Sequence, residues 1–418
     1  MKFALASYGT RGDIEPSTAV GRELQRRGHD VRLAVPPNLV GLVESAGLRA
    51  VAYGPDQQEG FWDVDFLRKF WKVNEVIASW REVQELLAQS WEDMSTTLVS
   101  LADGADLLVT GPGFPGVPAS VAEYYGIPLA TMHYFPMLPN GQVAPGVPAP
   151  LVRAAVRALD WPQRFVTKRA EDAQRRELGL PKARGPVPRR ISARGALEIQ
   201  AYDEVCFPGL AAEWKKWGRQ RPFVGTLTIE MATEADQEVA SWIATGTPPI
   251  FFGFGSTPVR SPAETIEMIG AACAQLGERA LVASGRSDFS DVPQFDRVKV
   301  VGPVNYAEVF PACRAVVHHS GAGTTAAGLR AGVPTLSLWS LGDQRIWAGQ
   351  VKRLKVGAAR PFSATTRETL VSDLREILAP DCVARAREIA KRMTIPTESA
   401  IKTADLLENF ARVPATSN

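Results

Sequence analysis

The chain has 418 residues, 45% of them hydrophobic and 22% charged, a balance that excludes collagen, coiled coil and wholesale disorder and is long enough for two domains. Forty-seven Lys and Arg against 45 Asp and Glu leave a formal net charge of +2, which does not describe a uniformly basic nucleic-acid-binding protein. Cys206, Cys273, Cys313 and Cys382 are too scattered for a disulfide framework or a Cys-x-x-Cys metal site, and no apolar run approaches the ~20 residues that cross a bilayer, so the expected setting is cytoplasmic.

In chain order, Lys2–Ser7 is a strand-length apolar run, too short for a signal peptide because Tyr8-Gly9-Thr10-Arg11-Gly12-Asp13 interrupts it. Tyr8 to Glu15 is expected as a loop, with Pro16 in the first turn of a helix that Gly28 stops. Val31–Val35 is the next strand, and strand–helix–strand at this spacing implies a parallel pair with a right-handed crossover. Residues 58–95 are rich in aromatics, including Trp62, Phe66, Trp80 and Trp91, and Val76, Trp80, Val83, Leu87 and Trp91 recur at helical spacing. They read either as core-facing helices or as the wall of a site for a bulky apolar ligand. Leu107–Thr110 and Ile127–Met132 supply further strands, the second ending at His133. A loop from Pro136 to Pro150 holds five prolines and two glycines. Residues 151–195 carry twelve Arg or Lys against four Asp or Glu, which fits a solvated helical face or a surface that approaches anionic lipid or a phosphorylated acceptor.

After a join expected near Pro208–Val224, which reads poorly as core, alternation of strand and helix resumes. Ile250–Phe254, Ala280–Ala283, Val298–Val301, Ala315–His318 and Thr335–Trp339 are strands. Two such series indicate two doubly wound α/β domains.

The strongest local signal is His318-His319-Ser320-Gly321-Ala322-Gly323-Thr324-Thr325, between a strand and a helical run. Small residues let a ligand approach the backbone, and the free N–H groups of a starting helix form an anion site. The bland alternative is a helix cap with a core histidine. Asp343 and Gln344 lie after another strand, where a carboxylate and an amide suit sugar hydroxyls or cap a helix. Gly9-Thr10-Arg11-Gly12-Asp13 lacks the spacing of a dinucleotide fingerprint, which disfavours an NAD-dependent oxidoreductase. Its Asp13 could act as a general base, with Arg11 holding it ionised or contacting a phosphate. No Asp/His cluster has metal-ligand spacing.

Together these residues resemble the GT-B glycosyltransferases related to UDP-glucosyl- and glucuronosyltransferases. The likeness is greatest to the branch of sterol glucosyltransferases and enzymes that glycosylate glycopeptide antibiotics. The opening Ala6-Ser7-Tyr8-Gly9-Thr10-Arg11-Gly12-Asp13-Ile14-Glu15-Pro16 looks like mycobacterial glycopeptidolipid glycosyltransferases. The resemblance covers essentially the whole chain. It implies an acceptor-binding Rossmann-like domain over 1–215, a nucleotide-sugar-binding one over 222–395, a cleft between them, and a last helix (396–418) packing back on the first. By position it implies Asp13 as catalytic base, and His319, Gly321, Gly323, Thr324, Thr325, Ser256 and Arg11 at the donor diphosphate. Val304 would meet the nucleotide base and Asp343 and Gln344 the donor sugar. The acceptor candidates are Gly12, His133 (equally a second candidate for the base or a structural histidine) and, from the aromatic segment, Trp62, Phe66 and Trp80. No cofactor or metal is implied beyond the nucleotide-sugar co-substrate. Ser320 stands where Gly is common, and Gln344 is followed by Arg345-Ile346-Trp347 instead of the frequent Pro-aromatic pair.

The expectation is therefore an inverting hexosyltransferase with an amphipathic small-molecule or lipopeptide acceptor, no nucleic-acid partner, and peripheral contact with anionic membrane through 151–195. A dTDP-6-deoxyhexose donor and a glycopeptidolipid acceptor are favoured, with UDP-glucose and a sterol-like or antibiotic acceptor as the alternative. A nucleotide-sugar epimerase or a non-catalytic nucleotide-sugar-binding protein would share the phosphate site.

Overall fold

The computed structural model describes all residues except 57–79, 145, 256–258, 260, 286, 288–294, 296, 341 and 413–418, and leaves aside the side chains of 80–83 and 163. The chain divides into two compact units: Met1–Ala201, Pro208–Ile229 and Pro396–Asn418 form the first, Tyr202–Phe207 and Glu230–Ile395 the second.

In the first unit, β1 (Lys2–Ala6), β2 (Asp30–Val35), β3 (Arg49–Ala52), β4 (Leu107–Thr110), β5 (Leu129–His133) and β6 (Leu197–Gln200) form a parallel sheet ordered β3-β2-β1-β4-β5-β6. All four residues of β4 are buried, as a strand covered on both faces requires. Helix α1 (Arg11–Arg26) links β1 to β2 and buries Ile14, Val20 and Leu24. Short α2 (Val40–Ser45) precedes β3. Helix α3 (Trp80–Ala102) follows, and its Leu87, Trp91, Met94 and Leu98 pack in one core with Val117 and Val121 of α4 (Gly116–Tyr125), Ala170 of α5 (Ala149–Glu177) and Val187 of α6 (Val187–Ala193). The helical periodicity of Leu87 and Trp91 thus marks core; Val76 lies outside the described residues, as does the side chain of Val83. A buried amide joins three helices: Trp91 Nε1 donates to Gln174 Oε1 (2.8 Å), and Gln174 Nε2 donates to Ser95 Oγ (3.1 Å) and the Val117 carbonyl (3.3 Å).

The join expected at 208–224 is part of this unit. Trp214 is fully buried, and Arg221 lies 5.3 Å from the centre of its ring and 4.4 Å from that of Trp217 while donating to Glu198 Oε2 at 2.7 Å. A cation stacked on indoles and paired with a buried carboxylate is core, although its residue types look like surface.

In the second unit, α7 (Asp236–Ala244) precedes β7 (Ile250–Gly253), α8 (Pro262–Leu276), β8 (Ala280–Ala283) and β9 (Val298–Val301). Then come β10 (Ala315–His318), α9 (Ala322–Ala331), β11 (Thr335–Trp339), α10 (Gly342–Leu354) and β12 (Gly357–Pro361). The strands run parallel in the order β12-β11-β10-β7-β8-β9. Helices α11 (Arg367–Ile377) and α12 (Pro380–Ala390) complete it. The last helix, α13 (Pro396–Ala411), belongs to the first unit, where Asp405 and Glu408 bond Arg27 and His29 at 2.7 Å.

Both sheets are doubly wound. The strand order reverses between β1 and β4 in one and between β7 and β10 in the other, and ligands of such sheets bind outside the carboxyl ends of the strands at that reversal.

Candidate active site

At the first reversal, α1 starts at Arg11, five residues before the start expected at Pro16, because Thr10 and Asp13 form a capping box. Asp13 Oδ2 accepts from the Thr10 N–H at 2.7 Å and the Thr10 hydroxyl at 3.1 Å. Gly9 has φ +147°, and a Cβ there would lie 2.3 Å from Asp13 Oδ2, so the carboxylate occupies space only a glycine leaves. Pro16, now inside the helix, has no N–H to offer the Gly12 carbonyl. Tyr134, just past β5, donates its hydroxyl to the Asp13 carbonyl at 3.0 Å. The sequence reading missed Tyr134; its place beside His133 at a strand end was the available signal. Arg11 is exposed and its Nε donates to Glu15 Oε1 at 2.7 Å, so it is engaged along its own helix. Burial raises the Glu15 pKa, and Arg11 opposes that rise.

His133 ends β5, with Nε2 3.0 Å from Thr131 Oγ1 and a buried Nδ1 that has no hydrogen-bond partner among the described residues. Burial, and then the charge of Arg221, pull its pKa down to about 4, so the ring is neutral at neutral pH. Trp62 and Phe66 lie outside the described residues; Trp80 opens α3, with its side chain outside them. Trp91 meets Phe114 edge-on at 6.1 Å and Phe114 meets Tyr8 at 5.5 Å, an aromatic series that leads from α3 to the loop just before α1.

At the second reversal the register places His318 beside Gly253, which brings the loops after β7 and β10 together. The His319 ring fills the gap between them. A Cβ at Gly255 would lie 2.3 Å from its Cε1, and one at Gly321 2.7 Å from its Nε2. His319 Nδ1 is buried with no partner of good geometry among the described residues. Burial draws its pKa down to about 4, the nearby Gly253 carbonyl opposing. His319 is therefore a neutral ring that can direct an N–H but not a cation. His318 is wholly buried; its Nδ1 accepts the Ser320 N–H at 2.9 Å and its pKa falls to about 3 through burial and the neighbouring ring.

Ser320 has φ +68°, the left-handed region where glycine is favoured, and its buried hydroxyl has no partner among the described residues. The next residue, Gly321, is the N-cap of α9. Thr325 is turned away from the helix end: its hydroxyl donates to the Gly321 carbonyl at 2.8 Å and it is fully buried. That hydroxyl is thus engaged within its own helix, while Gly323 and Thr324 are half-buried in the first turn. Ser256 lies outside the described residues. Val304 is buried in a cluster with Phe251, Val309 and Phe310. Asp343 and Gln344 open α10. The Asp343 carboxylate takes backbone N–H groups of that turn, though burial still raises its pKa, and Gln344 Oε1 accepts the Ser340 N–H at 2.9 Å. Both residues thus cap a helix at a strand end. No group of three His, Cys, Asp or Glu able to hold a metal occurs among the described residues.

Residues 3–141 match the glycosyltransferase family 28 N-terminal domain, and residues 267–406 match the erythromycin biosynthesis protein CIII-like C-terminal domain. The chain is 61% identical over 414 residues to an uncharacterized glycosyltransferase of Mycobacterium tuberculosis, covering 99% of each. It is 28% identical over 421 residues to a sterol 3-beta-glucosyltransferase of Arabidopsis thaliana, covering 94% of this chain and 65% of that one. Its fold is similar to the glycosyltransferase of kitacinnamycin (TM-score 0.72, 17% identity, 98% and 99% covered). It is also similar to the glycosyltransferase VinC in complex with dTDP (TM-score 0.65, 18% identity, 98% and 100% covered) and to the spinosyn rhamnosyltransferase (TM-score 0.65, 17% identity, 97% and 100% covered).

Proposed function

The chain belongs to the GT-B glycosyltransferases, and from that premise we propose an inverting, metal-independent hexosyltransferase that moves a 6-deoxyhexose from a dTDP-sugar to a hydroxyl of a bulky amphipathic acceptor such as a glycopeptidolipid. The observation that carries this reading is the cradle after β10. A glycine-capped helix N-terminus, with the neutral His319 ring wedged between Gly255 and Gly321, suits a diphosphate that gains charge as it leaves. The dTDP complex of VinC and the spinosyn rhamnosyltransferase, which share this fold, support the donor.

In the reaction, an Asp13 carboxylate oxygen takes the acceptor hydroxyl proton while the acceptor oxygen bonds to the anomeric carbon from the face opposite the leaving group. The bond from that carbon to the diphosphate oxygen breaks with its electron pair. Its new charge is met by the N–H groups at the start of α9, the His319 N–H, Thr324 and Ser256. Val304 is assigned to the nucleotide base and Asp343 and Gln344 to the sugar hydroxyls.

The test is a thermal-shift panel of dTDP-, UDP- and GDP-sugars, followed by NMR of the product's anomeric configuration with and without EDTA. Stabilisation by dTDP-6-deoxyhexoses, inverted product and EDTA-insensitive turnover are expected. No stabilisation by any nucleotide sugar, or retained configuration, would overturn the reading. The likeness to a sterol 3-beta-glucosyltransferase favours one second reading, a UDP-glucose donor with a sterol-like acceptor; selective stabilisation by UDP-glucose would establish it.

A further inference from the structure

Helix α5 is amphipathic in an unusual sense: its apolar stripe faces solvent. Leu151, Leu159, Trp161 and Phe165 are 62%, 70%, 54% and 72% exposed, and the exposed Ala154 and Ala158 lie between them. At 100° per residue Leu151, Ala154, Ala158, Trp161 and Phe165 fall within an arc of about 80° over about 21 Å, with Leu159 at the margin of the strip next to the direction in which Val152 and Ala170 are buried. A contiguous apolar strip of this size on a soluble surface marks a contact.

Its flanks are cationic. Arg157 and Arg169 are exposed on the same helix, and Lys182 and Arg184 follow in the next loop, which Arg164 ties to α5 through the carbonyls of Ala183 and Gly185. Arg157, Arg169, Lys182 and Arg184 form no ion pair among the described residues. Of the acids within 151–195, Asp160 pairs with Arg189, Glu171 with Arg190 and Asp172 with Lys168; Glu177, about 18 Å along the helix from Phe165, lines a cavity between α3 and α5 with Glu85, Glu92, Arg169 and Arg176, so Arg157, Lys182 and Arg184 are the cations farthest from acids. Arg189 also lies over the Trp161 ring, 6.0 Å from its centre, which holds an indole and a guanidinium together at the edge of the strip.

We propose that this face of α5 docks on an anionic lipid bilayer, with Leu151, Leu159, Trp161 and Phe165 entering the headgroup boundary and Arg157, Arg169, Lys182 and Arg184 meeting lipid phosphates. The charge complementarity chooses lipid over a second protein: a convex helix with apolar tips and unpaired cations beside them is the pattern of an interfacial helix. The inference stands on the helix face and not on the donor reading.

The experiment is co-sedimentation of the full chain with phosphatidylcholine vesicles and with vesicles that also contain phosphatidylglycerol. Binding only to the anionic vesicles, weakened by salt, is expected. Leu159→Ser with Phe165→Ser should weaken it about ten- to hundredfold, because two exposed side chains lose their burial in lipid. Arg157→Glu with Arg169→Glu should remove the preference for anionic vesicles. Folding of each variant is checked by circular dichroism and by an unchanged thermal shift with the donor nucleotide. Absence of binding to anionic vesicles, or equal binding by folded variants, would overturn the proposal. So would self-association of the wild-type chain that the apolar substitutions abolish, since a second copy would then cover the face.

Discussion

At the scale of single residues, the two ends of the chemistry are built by different means. Asp13 carries two duties on one carboxylate, since Oδ2 closes the cap of α1 while the group is proposed to take the acceptor proton. The two duties separate by substitution. Asp13→Asn keeps an oxygen for the Thr10 N–H, so turnover should fall about 10²–10⁴-fold with donor affinity and melting temperature nearly unchanged. Asp13→Ala should lose turnover and also about 1 kcal/mol of stability, because the cap goes with it. Steady-state kinetics and urea unfolding of both variants check this; turnover retained by Asp13→Asn would remove Asp13 from the chemistry. At the other end Ser320 holds a left-handed backbone with an unsatisfied buried hydroxyl. Ser320→Gly should therefore stabilise the protein by about 1 kcal/mol, read as a higher urea midpoint.

At the scale of elements, α9 shows why adjacent residues of one motif do not share a role. Thr325 donates to the carbonyl of its own cap residue and points into the core, whereas Thr324 is half-buried in the turn that faces the proposed phosphates. Thr324→Val should weaken nucleotide-diphosphate binding about tenfold, the worth of one hydrogen bond to a charged group, while Thr325→Val should leave it within about twofold. Isothermal titration with dTDP distinguishes them. The basic stretch 151–195 makes a related point. Its surplus counted along the chain is partly cancelled in space, since Glu213 pairs with Arg153 and Glu123 with Arg175 and Arg194, and both acids lie outside the stretch. What remains is concentrated near the exposed face of α5.

At the scale of the whole molecule, three of the four histidines are held neutral by burial: His133, His318 and His319 have pKa values of about 4, 3 and 4 against an ordinary 6.5. Their folded values lie below the unfolded one, so the unfolded chain binds more protons between pH 6.5 and about 4. The stability they contribute is complete above pH 6.5 and is lost as pH falls through that window. Each contributes at most about 1.4 kcal/mol per pH unit there. The urea midpoint should drop as pH is lowered from 7 to 5. His318→Asn, which keeps an acceptor for the Ser320 N–H, should flatten that slope even if it lowers the midpoint. An unchanged slope would mean that His318 titrates normally.

The order of strands and helices, the doubly wound class and the glycine-rich turn that opens α9 were legible in the sequence because they rest on local properties. A strand buried on both faces needs an apolar run, as in Val316-Val317, and a close backbone approach needs glycine, as at 321 and 323. The start of α1 was misplaced because the Thr10–Asp13 box outweighs the signal of Pro16. Arg221 was read as linker because nothing in Trp-Lys-Lys-Trp-Gly-Arg-Gln-Arg announces Glu198 waiting beneath it. The inward turn of Thr325, the neutrality of His319 and the outward apolar face of α5 were likewise decided by tertiary structure. Each depends on what lies opposite a side chain, and desolvation and charge pairing are set by neighbours that the chain brings together from far apart in sequence.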